Sequence, residues 1–270
     1  MLLLAAGFQV RLENFRQNEY RKLHRATDEV EEARYFTQTL DHFNNSNTAT
    51  FRQKYYINLT YYEPNVSKVA ILQIGGEGPI SAADVGPAWS ADYFAKNLSA
   101  INVELEHRFY GDSVPEPLNY TYLSSRQALA DVAAFADFLK REYGISRIVS
   151  YGGSYPGNLA AWARAKFPFA VDAAISSSGP VLGKTHFHEY FEKDQFVLDD
   201  VLPGAWNTTM EVFAEFDELL RTDQGRAAEY LRNETLKTAE LSALDRANIF
   251  SALSAFASMI QYAAEDHSDI

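Results

Sequence analysis

Apolar runs and helical patterns alternate along the middle of the chain. Helical spacing of apolar residues predicts helices near Trp89 to Asn97, over Ser124 to Tyr143 and after Ser154. Four apolar runs predict short buried strands: VAILQI (Val69 to Ile74), INVELE (Ile101 to Glu106), RIVSY (Arg147 to Tyr151) and AVDAAIS (Ala170 to Ser176). Strands that alternate with helices indicate an α/β fold with a doubly wound, mostly parallel sheet.

The pattern changes after Pro180. From about Phe187 to His267 we predict no strand, and helical stretches such as Met210 to Arg221 and Leu241 to Ala264 take over. The chain therefore divides into a part in which strands and helices alternate and a later part that is predicted to be helical.

A serine stands where a predicted strand meets a predicted helix. The sequence GGSYPG (Gly152 to Gly157) separates the strand that ends at Tyr151 from a helix that begins near Asn158. A serine at such a corner is typical of the nucleophile elbow of α/β-hydrolases, in which the tight turn exposes the hydroxyl and the helix N-terminus faces the oxyanion. A glycine-rich turn with Ser154 as an ordinary N-cap is the alternative.

The elbow departs from the G-x-S-x-G pattern at one position. Pro156 stands two residues after the serine, where the second glycine belongs, and Gly157 follows it. Proline is tolerated in the first turn of a helix, but it also disfavours the α region for Tyr155. The backbone N–H of Tyr155 is the expected oxyanion donor. The sequence therefore leaves the geometry of the elbow open.

A glycine-rich turn, GGEGP (Gly75 to Pro79), follows the first strong strand. Many α/β-hydrolases take the second oxyanion N–H from this loop, and a glycine lets the backbone approach a substrate closely, so Gly76 is the candidate donor. A plain turn is the alternative. Glu77 is a candidate substrate-binding residue that could meet a free amine, or it could pair with an internal arginine.

Several segments in a fixed order carry a resemblance to a known family. They are QTLDHF (38–43), TFRQKYY (50–56), GGEGP (75–79), EHRFYG (106–111), GGSYPGNLAAWARAKFP (152–168) and ISSSGPV (175–181). Together they resemble the prolylcarboxypeptidase-type serine peptidases, a family that contains lysosomal Pro-Xaa carboxypeptidase, dipeptidyl peptidase II and thymus-specific serine protease. The ARAKFP segment points toward the thymus-specific branch, and Pro156 departs from the small residue that the family usually has there.

The resemblance implies a serine exopeptidase that cleaves peptide bonds next to proline, as a carboxypeptidase or a dipeptidyl peptidase. Ser154 would form an acyl-enzyme, with peptides as substrates, no cofactor and a homodimer at full length. The implied fold is that of α/β-hydrolases. Residues 33–181 would form the N-terminal part of that domain, 182–270 the start of an inserted helical cap domain, and 1–32 a leader or poorly ordered segment.

The partners of a catalytic serine are not evident in this sequence. In α/β-hydrolases the acid and then the histidine follow the nucleophile in chain order, but only His186, His188 and His267 follow Ser154. We therefore expect an incomplete chain that lacks both partners and is inactive alone. No carboxylate or cysteine cluster completes a metal site at these histidines. His107, between two charged residues at a strand end, predicts a buried ion-pair cluster.

Composition bears on the compartment and on the class of partner. The net charge of −12 and the pI near 5.0 argue against nucleic-acid binding, and no apolar run is long enough for a membrane span. The absence of cysteine excludes disulfides within this chain. Seven N-x-S/T sequons favour the secretory pathway, with an extracellular or lysosomal destination. They start at Asn44, Asn58, Asn65, Asn97, Asn119, Asn207 and Asn233.

Two alternatives to the peptidase remain at this point. A secreted esterase would share the elbow but not the segments at 38–43 and 106–111. A non-catalytic secreted glycoprotein, as a degenerate paralogue or a partial gene model, would keep the fold signals without a triad.

Overall fold

The computed structural model describes residues 32–87 and 89–230, together with Ser242 and Ile260. These residues fall into two compact units that divide between Gly183 and Lys184. Almost all of the proposed leader and of the helix predicted over Leu241 to Ala264 lies outside the described residues, as does the sequon at Asn233.

One six-stranded sheet organises the first unit. Its strands are β1 (Arg34–Thr39), β2 (Thr50–Asn58), β3 (Val69–Ile74), β4 (Ile101–Leu105), β5 (Arg147–Gly153) and β6 (Ala173–Ser177). They lie in the order β1-β2-β4-β3-β5-β6. The pairs β1/β2 and β2/β4 are antiparallel, and the other three pairs are parallel. The predicted α/β class and its mostly parallel sheet are confirmed.

The parallel strands are those that the apolar runs predict. β3 lies between β4 and β5 and is buried on both faces, which explains its continuous apolar sequence. The last strand begins at Ala173 rather than Ala170, since Ala170 and Val171 belong to the turn that precedes it. The sequence pattern does not predict β1 and β2. Both are half polar, and β2 buries Gln53 and Lys54 within the sheet.

Helices cover both faces of the sheet, which is the doubly wound arrangement. They are α1 (Ser90–Asn97), α2 (Ser125–Tyr143) and α3 (Tyr155–Lys166), with 3₁₀ turns at Ala82–Val85 and Tyr120–Tyr122. On one face, apolar residues of α2 and α3 pack with Leu72 in the main core. On the other face, α1 packs against Ile71. Neighbouring residues of one strand thus serve opposite layers, because side chains alternate across a strand.

Local signals fix the ends of α2. The hydroxyl oxygen of Ser124 accepts a hydrogen bond from the backbone N–H of Gln127 at 3.2 Å, as an N-cap does. Gly144 ends the helix in the left-handed region with φ 64°, which costs glycine little. The helix predicted over Ser124 to Tyr143 is confirmed, and its residues Leu129, Val132 and Leu139 are buried in the main core.

The second unit contains three described helices, and no strand occurs among residues 184–230. The helices are α4 (Glu189–Val201), α5 (Ala205–Thr222) and α6 (Gln224–Tyr230). A small core of Phe216, Leu220 and Ala227 joins α5 to α6. The helix predicted over Met210 to Arg221 is confirmed as the later part of α5.

Candidate active site

Ser154 occupies the corner between β5 and α3. Its backbone has φ 57° and ψ −132°, a region that L residues rarely adopt, and its side chain is exposed. Two backbone hydrogen bonds hold it there: its N–H donates to the carbonyl oxygen of Ser177 at 3.0 Å, and its own carbonyl accepts from the N–H of Asn158 at 3.2 Å. Such strained backbone concentrates at functional sites. The predicted strand-to-helix corner is present, with the strained geometry of a nucleophile elbow.

Two glycines allow this turn to close. A Cβ atom on Gly152 would lie 2.3 Å from the carbonyl oxygen of Pro156, and one on Gly157 would lie 2.9 Å from that of Ser177. Gly157 therefore provides the close backbone approach, although it stands three residues after Ser154 instead of two.

Pro156 fits the first turn of α3. Tyr155 is the first helical residue, so the proline does not keep Tyr155 out of the helix as its sequence preference suggests. In the first turn of a helix the backbone N–H groups have no carbonyl acceptor within the helix, so the N–H that proline lacks is not missed there. The departure from the G-x-S-x-G pattern leaves the corner intact.

Gly76 lies against this corner. It follows β3, whose carboxyl end lies beside that of its parallel neighbour β5. A Cβ atom on Gly76 would lie 3.0 Å from Cγ of Pro156, so the loop passes directly over the first turn of α3. The preceding Gly75 donates its N–H to the carbonyl oxygen of Leu105 at 2.9 Å. The structure thus brings together Ser154 and both predicted oxyanion donors, Tyr155 and Gly76.

Glu77 extends into solvent beside the same corner. Its side chain is exposed, and its charge acts on both His107 and Tyr155. The part of the chain that the structure describes holds no ion pair between Glu77 and an arginine. An exposed carboxylate in this place can receive a cationic group of a ligand.

No sequence pattern predicts the contact between His107 and Tyr155. Nδ1 of His107 lies 2.7 Å from the carbonyl oxygen of Arg108, and Nε2 lies 3.1 Å from Oη of Tyr155. The Tyr155 hydroxyl also lies 3.3 Å from Oγ of Ser125, at the start of α2. Burial lowers the pKa of His107 and raises that of Tyr155. Both groups are therefore neutral near pH 7.

The charged residues that flank His107 are fully buried, which confirms the predicted ion-pair cluster. Arg108 forms two hydrogen bonds of 2.6 Å with the carboxylate of Asp131 on α2. Its remaining N–H groups donate to the carbonyl oxygens of Thr39, Leu40 and Tyr122. His42 approaches the same carboxylate at 2.7 Å. This cluster joins the end of β1, the end of β4 and α2.

Glu106 anchors the loop that carries Gly76. One of its carboxylate oxygens accepts from the backbone N–H of Ile80 at 3.1 Å and lies 3.0 Å from Nζ of Lys54. The other accepts from the hydroxyl of Ser113 at 2.7 Å. A single buried anion thus connects the loops that follow β3 and β4.

The described histidines after Ser154 belong to the second unit and take part in no metal-binding group of described residues. His186 and His188 precede α4, and His188 lies 3.7 Å from Glu189 and 3.5 Å from Glu192. Within the described ranges, no histidine forms a hydrogen bond with the Ser154 hydroxyl, and no group of three His, Cys, Asp or Glu side chains could hold a metal. His267 lies outside these ranges.

The sequons differ in their surroundings. The exposed asparagines are Asn44, Asn65, Asn97, Asn119 and Asn207. Asn58 is half-buried, and its Nδ2 donates to the carbonyl oxygen of Val85 at 2.9 Å. A glycan on Asn58 would compete with this hydrogen bond. In the portion that the structure describes, no helix has the length and apolar character to cross a membrane.

Comparison with known proteins places the chain in a family. A Caenorhabditis elegans protein whose name describes a serine protease is 40% identical over 71% of this chain and 36% of its own length. Human thymus-specific serine protease is 34% identical over 84% and 46%, and human lysosomal Pro-X carboxypeptidase is 35% identical over 54% and 31%. The chain spans less than half the length of each of these relatives.

A match to a family profile covers most of the chain and not only the region around Ser154. The profile described as serine carboxypeptidase S28 matches residues 38–270, which include the whole sheet except the first residues of β1 and all the described helices. The chain therefore belongs to the serine carboxypeptidase S28 family of peptidases.

Proposed function

We propose that Ser154 is the nucleophile of a serine exopeptidase that cleaves peptide bonds next to proline. The observation that carries this proposal is the backbone of Ser154, which has φ 57° at an exposed corner between a parallel strand and a helix. Strain of this kind costs about 1–3 kcal/mol. A turn with an ordinary N-cap serine needs no such strain, because an N-cap residue has extended torsions.

The chemistry follows from the position of the hydroxyl. Oγ of Ser154 attacks the carbonyl carbon of the scissile bond, and the tetrahedral intermediate collapses to an acyl-enzyme with loss of the amine. Water then hydrolyses the acyl-enzyme and restores the hydroxyl. A general base must take the hydroxyl proton, and the described contacts of Ser154 include no such group.

The oxyanion is held by backbone donors. The N–H of Tyr155 lies at the N-terminus of α3, where the helix dipole favours negative charge. The loop of Gly76 lies against the same turn and supplies the second N–H. Two fixed donors aimed at a developing charge stabilise the transition state more than the substrate.

The substrate class is proposed from the site and the relatives together. Glu77 is an exposed carboxylate beside the corner, and we assign to it the binding of a cationic group such as a peptide amine. Preference for proline is proposed from the name of the lysosomal Pro-X carboxypeptidase relative. The same relative and the exposed sequons support a secretory route to the lysosome or the cell exterior.

A labelling experiment tests the nucleophile. The full-length protein, secreted from eukaryotic cells, is treated with a fluorophosphonate probe and digested, and the labelled peptide is identified by mass spectrometry. We expect label on Ser154, and Ser154→Ala should abolish both labelling and turnover. Label on Ser176, Ser177 or Ser178 would overturn the assignment.

Substrate panels test the specificity. Peptides with proline before the C-terminal residue, peptides with proline second from the N-terminus, and simple esters are compared by kcat/KM. Cleavage of esters alone would favour an esterase, and no labelling or cleavage at all would favour a non-catalytic glycoprotein. If Glu77 binds a peptide amine, Glu77→Gln should raise KM for peptides with a free N-terminus and leave N-acetylated peptides unchanged.

A further inference from the structure

The phenol of Tyr155 contacts two polar side chains at its hydroxyl end. Its ring packs against the main core, and its hydroxyl meets Nε2 of His107 at 3.1 Å and Oγ of Ser125 at 3.3 Å. His107 follows β4, and Ser125 begins α2. Two segments that are distant from Tyr155 in sequence therefore contact its side chain, and Tyr155 is the residue proposed to supply the oxyanion N–H.

The hydrogen bonds of His107 determine its tautomer and the direction of its hydrogen bond with the Tyr155 hydroxyl. Nδ1 lies 2.7 Å from the carbonyl oxygen of Arg108. A carbonyl oxygen only accepts, so Nδ1 carries the proton. In the neutral ring Nε2 is then an acceptor, and the Tyr155 hydroxyl donates to it. The ring is 4% exposed, and this burial disfavours its charged form.

This arrangement has a consequence for the first turn of α3. The N–H and the phenol of Tyr155 belong to one residue, at the start of a helix whose preceding residue is strained. A hydrogen bond at the end of the ring limits the rotation of that residue about its backbone. Oxyanion donors are effective only when they are fixed before the charge develops.

We propose that His107 is a positioning residue, which through the Tyr155 hydroxyl holds the backbone N–H of Tyr155 in place for the oxyanion. The proposal rests on the proposed function of Ser154 and adds a residue whose described hydrogen bonds go to Arg108 and Tyr155. The contact acts on the transition state, so its loss lowers kcat and leaves KM nearly unchanged.

A matched pair of substitutions tests this role. The amide group of glutamine reaches the position of Nε2, whereas that of asparagine reaches only the position of Nδ1. His107→Gln therefore keeps an acceptor for the phenol, and His107→Asn removes it. Tyr155→Phe removes the donor. Tyr62→Phe is the control, because the Tyr62 hydroxyl donates to the carbonyl oxygen of Tyr143 at 3.0 Å, outside this network.

Steady-state kinetics are measured on the full-length protein, well below the melting temperature of each variant. One hydrogen bond corresponds to a factor of roughly 3 to 10 in rate. We expect His107→Asn and Tyr155→Phe each to lower kcat by about that factor, with KM within about twofold. The double variant should be no slower than the slower single variant, because both remove the same contact. His107→Gln and Tyr62→Phe should retain kcat.

Each outcome separates the two proposals. If the unmodified protein labels at Ser154 and cleaves peptides, but kcat is unchanged in His107→Asn and Tyr155→Phe, only the positioning role is overturned. An equal loss in His107→Gln and His107→Asn also overturns it, because a general packing defect does not depend on the acceptor. An unmodified protein that neither labels nor cleaves would overturn the function of Ser154 and the positioning role with it.

Discussion

Replacing Asp131 with alanine should destabilise the first unit strongly. The change leaves the fully buried guanidinium of Arg108 without the carboxylate that now accepts two hydrogen bonds of 2.6 Å. Three backbone carbonyl oxygens would still accept from Arg108, but they carry no full negative charge. The cost therefore lies in the unpaired buried charge.

The size of the loss follows from this burial. Removing one partner of a buried ion pair costs about 3–5 kcal/mol. For a domain of this size each kcal/mol lowers the melting temperature by roughly 2–4 °C, so the midpoint should fall by on the order of 10 °C. The loss should appear in the cooperative unfolding of the sheet, because Arg108 connects α2 to the ends of β1 and β4.

An exposed ion pair on the same helix provides the control for Asp131→Ala. Asp137 also lies on α2 and pairs with Arg141 at 3.0 Å, but the two side chains are 63% and 73% exposed. Asp137→Ala should cost less than about 0.5 kcal/mol. Thermal and urea unfolding of both variants, followed by circular dichroism, give the difference directly. Similar losses for Asp131→Ala and Asp137→Ala would refute the view that burial makes the Arg108 pair critical.

Two further predictions concern pH and glycans. Because burial lowers the pKa of His107 from its ordinary value of 6.5, the stability it contributes is present above that pH and is lost as the pH falls toward the lower folded-state pKa. Urea unfolding at about pH 7.5 and about pH 5.5 should show a larger loss for the unmodified protein than for His107→Gln, and equal losses would contradict the sign. In protein from eukaryotic cells, Asn119 should carry a glycan and Asn58 should not, because Nδ2 of Asn58 donates to Val85 whereas Asn119 is exposed. Asn119→Gln should lower the apparent mass and Asn58→Gln should not, and the reverse result would contradict the argument from burial.

The sequence predicted the strands and helices whose buried side chains are apolar. β3 and α2 have patterns that only a central strand and a packed helix produce. β2 was missed because it buries polar side chains, and their partners are distant in sequence. Gln53 donates to the backbone oxygen of Glu106 at 2.7 Å, and Lys54 pairs with the carboxylate of the same residue. Such partners become visible only when the chain is folded.

The backbone positions of the candidate site could be predicted from the sequence, but the side-chain contacts that hold them could not. Ser154 and Gly76 belong to local sequence patterns with known conformations, so their placement at one corner could be predicted. The contact between His107 and Tyr155 joins residues 48 positions apart. No spacing rule connects such residues, and the sequence indicated only that His107 would be buried.

The strained backbone of Ser154 also affects which substitutions would stabilise this chain. Glycine adopts a positive φ without a Cβ penalty, so exchange of Ser154 for glycine would relieve the turn of about 1–3 kcal/mol. A lineage selected for stability alone would gain from that single exchange. Under the function proposed for Ser154, this exchange would remove the nucleophile and stabilise the fold at the same position.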